Sequence, residues 1–349
     1  MLNNIQVLRA VAALAVVAHH VLAELQVRFG VASLGLLDSV GRAGVDLFFV
    51  ISGFIMFHAT HGTQQTPVRF WTNRIVRIAP LYWLMTLLVA ALWLAGLAPF
   101  GVAKLDAQDV LASLAFIPDV RADGSAYPVL AIGWTLVYEM YFYVLFGLCL
   151  LLRSQAMSLG VLAAFFLASW FALGQMTDPS HMLAVYLQPI TLEFVAGGAL
   201  ALAWRRLPQT LPAAARAWGY GTVGVGLVAL APAAAYFGEA INTDGALRLA
   251  VYGAPAALVV AGALVLERAG AIAHNPRLLL LGAASYAIYL IHPLGIQYGV
   301  AAVAGAGPVV AAPVAAVVSI ALGVALHLRI ETPLLARLRR GKRVRAVTA

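Results

Sequence analysis

Only 10% of the 349 residues are charged and 63% are hydrophobic, where an ordinary soluble domain carries roughly a quarter charged residues; a water-soluble globular protein is excluded. The formal net charge of +8, from 22 Lys and Arg against 14 Asp and Glu, is spread unevenly along the chain and reads as membrane topology rather than nucleic-acid binding. The lone cysteine, Cys149, lies in an apolar stretch and cannot close an internal disulfide.

Apolar stretches of membrane-crossing length recur about ten times, at roughly 5–24, 41–60, 78–98, 131–152, 156–174, 183–203, 217–237, 247–267, 278–299 and 308–330. The expected fold is all-α, a polytopic transmembrane helical bundle of about ten spans with one membrane domain over residues 1–335. With a cytoplasmic N-terminus, seventeen of the 22 basic residues fall at the inner surface and five (Arg28, Arg42, Lys104, Arg121 and Arg248) outside. Both termini are therefore expected in the cytoplasm. The tail, 336–349 with its RLRRGKRVR run, would grip anionic lipid headgroups. The longest connection, about 99–130, collects Asp106, Asp109, Asp119 and Asp123 on the external side. The first stretch reads as a span rather than a cleaved signal peptide: one basic residue precedes its core, two histidines interrupt its end, and further spans follow at once.

In chain order, the first span carries Arg9 and His20. Eleven steps of about 100° return His20 to within roughly 20° of Arg9's face, about 16 Å further along the axis. Ionisable side chains are costly in a bilayer and mark function by default. In the second span, GRAGVDLFFVISGFIMFH places Asp46 near the level of His20, where a carboxylate would fix an imidazole tautomer and raise its basicity. An ordinary interfacial acid near a helix start looks the same. Ser52 and Gly53 thin this helix for close packing or a cavity, and His58 and His61 read as wetted structural histidines.

RFWTNRIVRIAPLYW follows, with Arg74 and Arg77 on one face of a helix that Pro80 helps to begin or bend. Two guanidiniums so placed make a fork for phosphate oxygens. The plainer reading is positive-inside anchoring, with Tyr82 and Trp83 in the interfacial belt. Arg9 reaches the same surface, so three arginines would converge on one anion. The fourth span buries Glu139 in WTLVYEMYFYVLFG, either as a functional carboxylate or as a structural ion-pair partner. Glu193 in the sixth span has weaker support. Near the end, SYAIYLIHPLG sets Ser285, Tyr286, Tyr289 and His292 along one helix, and His292 would line an acceptor site or cap a proline kink. Glu331, in ETP, is expected to pair with an arginine.

Five pieces, LRAVAALAVVAHH, GVDLFFVISGFIM, RIVRIAPLYW, WTLVYEMYFY and SYAIYLIHP, stand in order across almost the whole chain. Together they resemble the acyltransferase-3 family of integral membrane acyltransferases, close to its exopolysaccharide-production and O-antigen acetylase branch. The resemblance implies a bacterial cytoplasmic (inner) membrane enzyme that transfers an acyl group, acetyl or succinyl, from a cytoplasmic acyl-coenzyme A to a hydroxyl of a polysaccharide or lipid-linked glycan. It carries function to Arg9, His20, Arg74 and Arg77. On that reading Arg9, Arg74 and Arg77 bind the coenzyme A phosphates. His20 is general base or acyl carrier, with Asp46 and Glu139 as further catalytic residues; Ser285, Tyr286 and His292 line the acceptor site. Acetyl-CoA or succinyl-CoA is a co-substrate; no tightly bound cofactor, metal or nucleic acid is expected. The competing class is a secondary transporter or lipid-linked sugar flippase, which also has many spans and buried charges.

Overall fold

The computed structural model describes residues 2–32, 36–97, 102, 104–121, 124–230, 236–237, 241 and 244–338, the side chains of 36–39 excepted. Asp123, most of the basic tail and residues 231–235 of the expected 217–237 span lie outside the described residues. The elements are α1 (Asn3–Phe29), α2 (Leu36–Thr60), α3 (Pro67–Leu94), α4 (Ala107–Leu114), α5 (Trp134–Cys149), α6 (Gln155–Leu173), α7 (His181–Tyr186), α8 (Leu192–Arg206) and α9 (Ala215–Leu230). They are followed by α10 (Gly245–Arg268), α11 (Pro276–Ala302) and α12 (Pro308–Leu338).

The described residues contain no strand, and nine helical stretches among them are long and apolar enough to cross a bilayer. The expected tenth span corresponds to α9, of which 16 residues are described. An all-helical outcome follows from the solvent, because hydrocarbon offers no partner for a backbone amide and each span must satisfy its own.

Local sequence sets the helix ends. Thr66 caps α3 ahead of Pro67, Asn275 caps α11 ahead of Pro276, and Gly30 closes α1 in the left-handed conformation at φ 66°. Helix α3 thus starts at Pro67, and Pro80, expected near its beginning, lies inside it. Helix α1 has no side-chain cap of its own. The Glu267 carboxylate at the end of α10 takes its place, accepting from the Asn3 and Asn4 amides at 3.1 and 2.8 Å, a favourable position for negative charge.

Packing is most extensive for α11 with α12 and α1, α9 with α10, and α2 with α8 and α1. Two of these seams depend on glycine. A Cβ on Gly53 would stand 2.0 Å from the Phe194 carbonyl oxygen, and one on Gly282 the same distance from that of Gln6. The first lets α2 touch α8; the second draws α11 against α1 one turn before Ser285. Tyr82 departs from the interfacial expectation. It is fully buried, stacked on Phe116 with its ring against Gly133, while Trp83 remains partly exposed and donates to the Leu114 carbonyl at 2.8 Å.

Candidate active site

A cavity of about 190 Å³ lies among α1, α2, α3, α5 and α11, and Arg9, Arg74, Arg77, Ser52, Glu139, Ser285, Tyr286 and Tyr289 are in its wall. The three arginines singled out in sequence are brought together, each held differently. Arg9 donates to Ser285 Oγ at 2.9 Å and to Gln6 Oε1 at 3.3 Å. Arg77 is ion-paired with Glu331 and lies over the Tyr286 ring. Arg74 rests against the rings of Phe70 and Tyr143, 5.7 and 6.0 Å from their centroids. Its buried Nε has no hydrogen-bond partner among the described residues. A guanidinium left on aromatic faces with an unfilled donor is suited to receive an oxyanion.

Glu331 meets its expected arginine, Arg77, and accepts a second contact from His327 Nδ1 at 2.7 Å. Glu139 is in the same cavity wall as the arginines and accepts from Ser52 Oγ at 2.9 Å and from the Tyr143 hydroxyl. Ser52, expected only to thin α2, is therefore a polar member of the cavity.

Two expectations need correcting. Asp46 does not orient His20; its fully buried carboxylate accepts from Arg248 Nε and a terminal nitrogen at 3.0 and 2.9 Å. The reason is axial as well as rotational, since it is Gly41, five residues before Asp46, that abuts His19. Gly44 faces Ala12 and Val16 of α1, and two further residues turn Asp46 by roughly 200°, toward α8 and α10. Buried Glu193 of α8 lies against the same pair, within reach of the Asp46 carboxyl. Arg248 had no sequence signal beyond its charge, because 202 positions separate it from Asp46.

The second correction concerns the expected acceptor trio. Ser285 and Tyr286 belong to the arginine level, Ser285 through Arg9 and Tyr286 through its hydroxyl on the Ile78 carbonyl at 2.7 Å and its ring beneath Arg77. His292 lies two helical turns on, about 10 Å along α11. It is not in the cavity wall. It packs behind the wall residue Tyr289, ring centroids 5.7 Å apart, and against His20 at 4.8 Å.

Main-chain carbonyls orient both imidazoles. His20 Nδ1 is 2.9 Å from the Val16 oxygen and His292 Nδ1 is 2.6 Å from that of Tyr289. A carbonyl only accepts, so Nδ1 carries a proton in each ring, which leaves Nε2 to carry the lone pair of the neutral imidazole. For His292 the cause is Pro293, which has no amide to give the carbonyl four residues back. The freed Tyr289 oxygen takes the imidazole instead. His292 Nε2 is buried with no hydrogen-bond partner among the described residues. Among the described residues, no three His, Cys, Asp or Glu side chains are placed to hold a metal ion.

Residues 2–328 match the family model for the acyltransferase-3 domain, described as an acyltransferase domain. The chain belongs to this family. It is 39% identical over 325 residues to the exopolysaccharide production protein ExoZ of Rhizobium meliloti (strain 1021), a match covering 89% of this chain and 93% of the relative. It is 30% identical over 323 residues to the acyltransferase MdmB of Streptomyces mycarofaciens, covering 84% and 78%. No solved structure matches the chain. As a member of this family with nine apolar spans described, it is a multi-pass membrane acyltransferase. The cavity is then the natural place to look for its donor and acceptor.

Proposed function

We propose that this enzyme transfers an acyl group, acetyl in the simplest case, from acyl-coenzyme A to a sugar hydroxyl of an exported polysaccharide or its lipid-linked precursor. The glycan acceptor rests on the likeness to an exopolysaccharide production protein. The observation that carries the donor is the convergence of Arg9, Arg74 and Arg77 on one cavity, where forked donors would meet phosphate oxygens. A cavity of about 190 Å³ is too small for a whole nucleotide thioester, since drug-sized ligands occupy about 300 Å³ or more. The phosphates belong at its arginine-lined end and the pantetheine arm inside. On this reading both termini face the cytoplasm of an inner membrane.

The thioester extends along the α1 and α11 seam past Tyr289 toward His20. There His20 Nε2 accepts the proton of the sugar hydroxyl as its oxygen attacks the thioester carbon. The carbon–sulfur bond breaks, the imidazolium returns the proton to the departing thiolate, and an ester and a free thiol remain. Glu139 supports a second assignment of the base, because it stands in the cavity wall whereas His20 lies beyond it.

Incubating the purified protein with labelled acetyl-coenzyme A and a glycan acceptor tests the reading. Label in the glycan and free thiol in equal amounts are expected. Solute transport without thioester consumption would move the protein to the transporter class. Mass spectrometry of surface polysaccharide made with and without the protein would name the acyl group and locate it.

A further inference from the structure

A second cavity, about 550 Å³, opens where α2, α5, α6 and α8 end or begin, and it shares no lining residue with the first. Arg153, Arg205, Arg206 and His61 line it together with Thr60, Gln155 and Ser158, and none of its lining residues among those described is acidic. No carboxylate pairs with any of the three arginines among the described residues. Arg205 is nevertheless held in place. Its Nε donates to the Ala201 carbonyl at 3.1 Å, and a terminal nitrogen contacts Gln155 Oε1 and His61 Nδ1. Gln155 is fixed in turn, donating to the Phe57 carbonyl and Thr60 Oγ1 at 3.0 and 2.9 Å. The floor is thus a braced set of donors, with Arg153 and Arg206 exposed at the rim.

Positive-inside anchoring accounts for basic residues at a membrane surface. It does not account for three of them around one concave, acid-free cleft with a braced floor. An oxyanion is the complementary ligand. What lies beside the cleft decides its source. Met157, Val161 and Phe165 succeed one another at four-residue intervals along α6, all exposed, forming an apolar stripe that starts at the cleft's own Gln155 and Ala156. A free phosphate has no use for such a stripe; a lipid does.

We propose that this cleft binds the phosphate headgroup of an anionic phospholipid, whose acyl chains run along the Met157, Val161 and Phe165 face of α6. The site is independent of the acyltransferase reading, and either can fail without the other. Basic pockets between membrane helices bind acidic lipids in this way.

The test uses the full chain in nanodiscs of equal phosphatidylcholine and phosphatidylglycerol, with retained lipid counted by native mass spectrometry. The wild type is expected to retain phosphatidylglycerol preferentially. Arg153→Gln with Arg206→Gln should lower that preference by roughly fivefold for each arginine removed. Arg277→Gln, a basic residue outside the cleft, should leave it unchanged. Melting temperature and monodispersity of each variant show that it is folded. The proposal is overturned by equal retention of the two lipids in the wild type, or by an Arg277→Gln effect as large as that of the pair. Displacement of the lipid by millimolar inorganic phosphate or coenzyme A overturns it too, since the site would then take a soluble phosphate.

Discussion

At the level of Arg9 side chains hold side chains: Arg9 of α1 on Ser285 and Gln6, and Arg77 of α3 on Glu331 of α12. Eleven residues along α1, at His20, the partners are main-chain carbonyls, those of Val16 and Tyr289. The difference bears on what each level can do. A guanidinium bound by a rotatable hydroxyl or carboxylate can exchange that partner for an incoming anion. An imidazole bound to the helix backbone keeps one tautomer and one orientation whatever else is bound. The first arrangement suits a ligand that comes and goes; the second suits a group that must present the same nitrogen at every turnover.

The sharpest way to break this comparison is to remove the imidazole at one level and a carboxyl at the other. His20→Ala is expected to lower glycan acylation by on the order of 10²- to 10⁴-fold, the usual worth of a positioned acid or base, without lowering membrane abundance. Glu139→Gln should cost less if His20 is the base. Rates of labelled acyl transfer by the two variants decide, and an undiminished rate in His20→Ala removes it from the mechanism.

Next in size is the buried pair of Asp46 with Arg248. Removing one partner of a buried ion pair costs about 3–5 kcal/mol. Asp46→Asn should therefore unfold at markedly lower temperature in detergent, whereas the double variant with Arg248→Gln should recover part of the loss. If Asp46→Asn instead melts like the wild type and fails only in catalysis, Asp46 serves the chemistry after all.

Much of this architecture was legible in the sequence because hydrocarbon allows so few solutions. Apolar length alone located the spans, and the return of Arg9 and Arg74 to one cavity followed from helical periodicity and the alternation of spans across the membrane. Partner choice was not legible. Nothing local marks Arg248 as the companion of Asp46, and α2 alone shows neither the level of Asp46, which stands nearer Ala12 than His20 of α1, nor its rotation. His292 was grouped with Ser285 and Tyr286 because seven residues of one helix look contiguous on paper; in space they span two turns and two environments. Tyr82, an aromatic next to Trp83, looked interfacial until Gly133 and Phe116 were seen to enclose it.

Within the arginine level, Arg74 and Arg77 make a finer contrast. Arg77 is already neutralised by Glu331, and Arg74 has no carboxylate partner among the described residues. Arg74→Gln should therefore raise the donor KM more than Arg77→Gln does. One hydrogen bond to a charged group contributes about 1.5–3 kcal/mol, or roughly 10- to 100-fold in affinity. Steady-state kinetics over a range of acyl-coenzyme A concentration, with kcat little changed, is the expected signature for Arg74. Equal KM effects from both variants would mean that the Glu331 contact opens when donor binds, and that Arg77 shares the phosphate load.

The smallest effect tests why the histidine level is rigid. Pro293 removes the amide that would otherwise bond to the Tyr289 carbonyl, and His292 Nδ1 fills that vacancy at 2.6 Å. Pro293→Ala restores the helix amide, which then competes for the same oxygen, so His292 loses sole claim to the bond that fixes its proton on Nδ1. A hydrogen bond of this kind contributes about 1 kcal/mol, so acyl transfer is expected to fall by no more than roughly fivefold. Thermal stability should hold or rise, since an alanine inside a helix replaces a residue with no amide. Lower activity with undiminished stability would separate tautomer control from packing, because a variant that merely disrupted α11 would lose both. Nitrogen-15 chemical shifts of the His292 ring give the direct readout: a single Nδ1–H form in the wild type and a mixture of the two tautomers in Pro293→Ala.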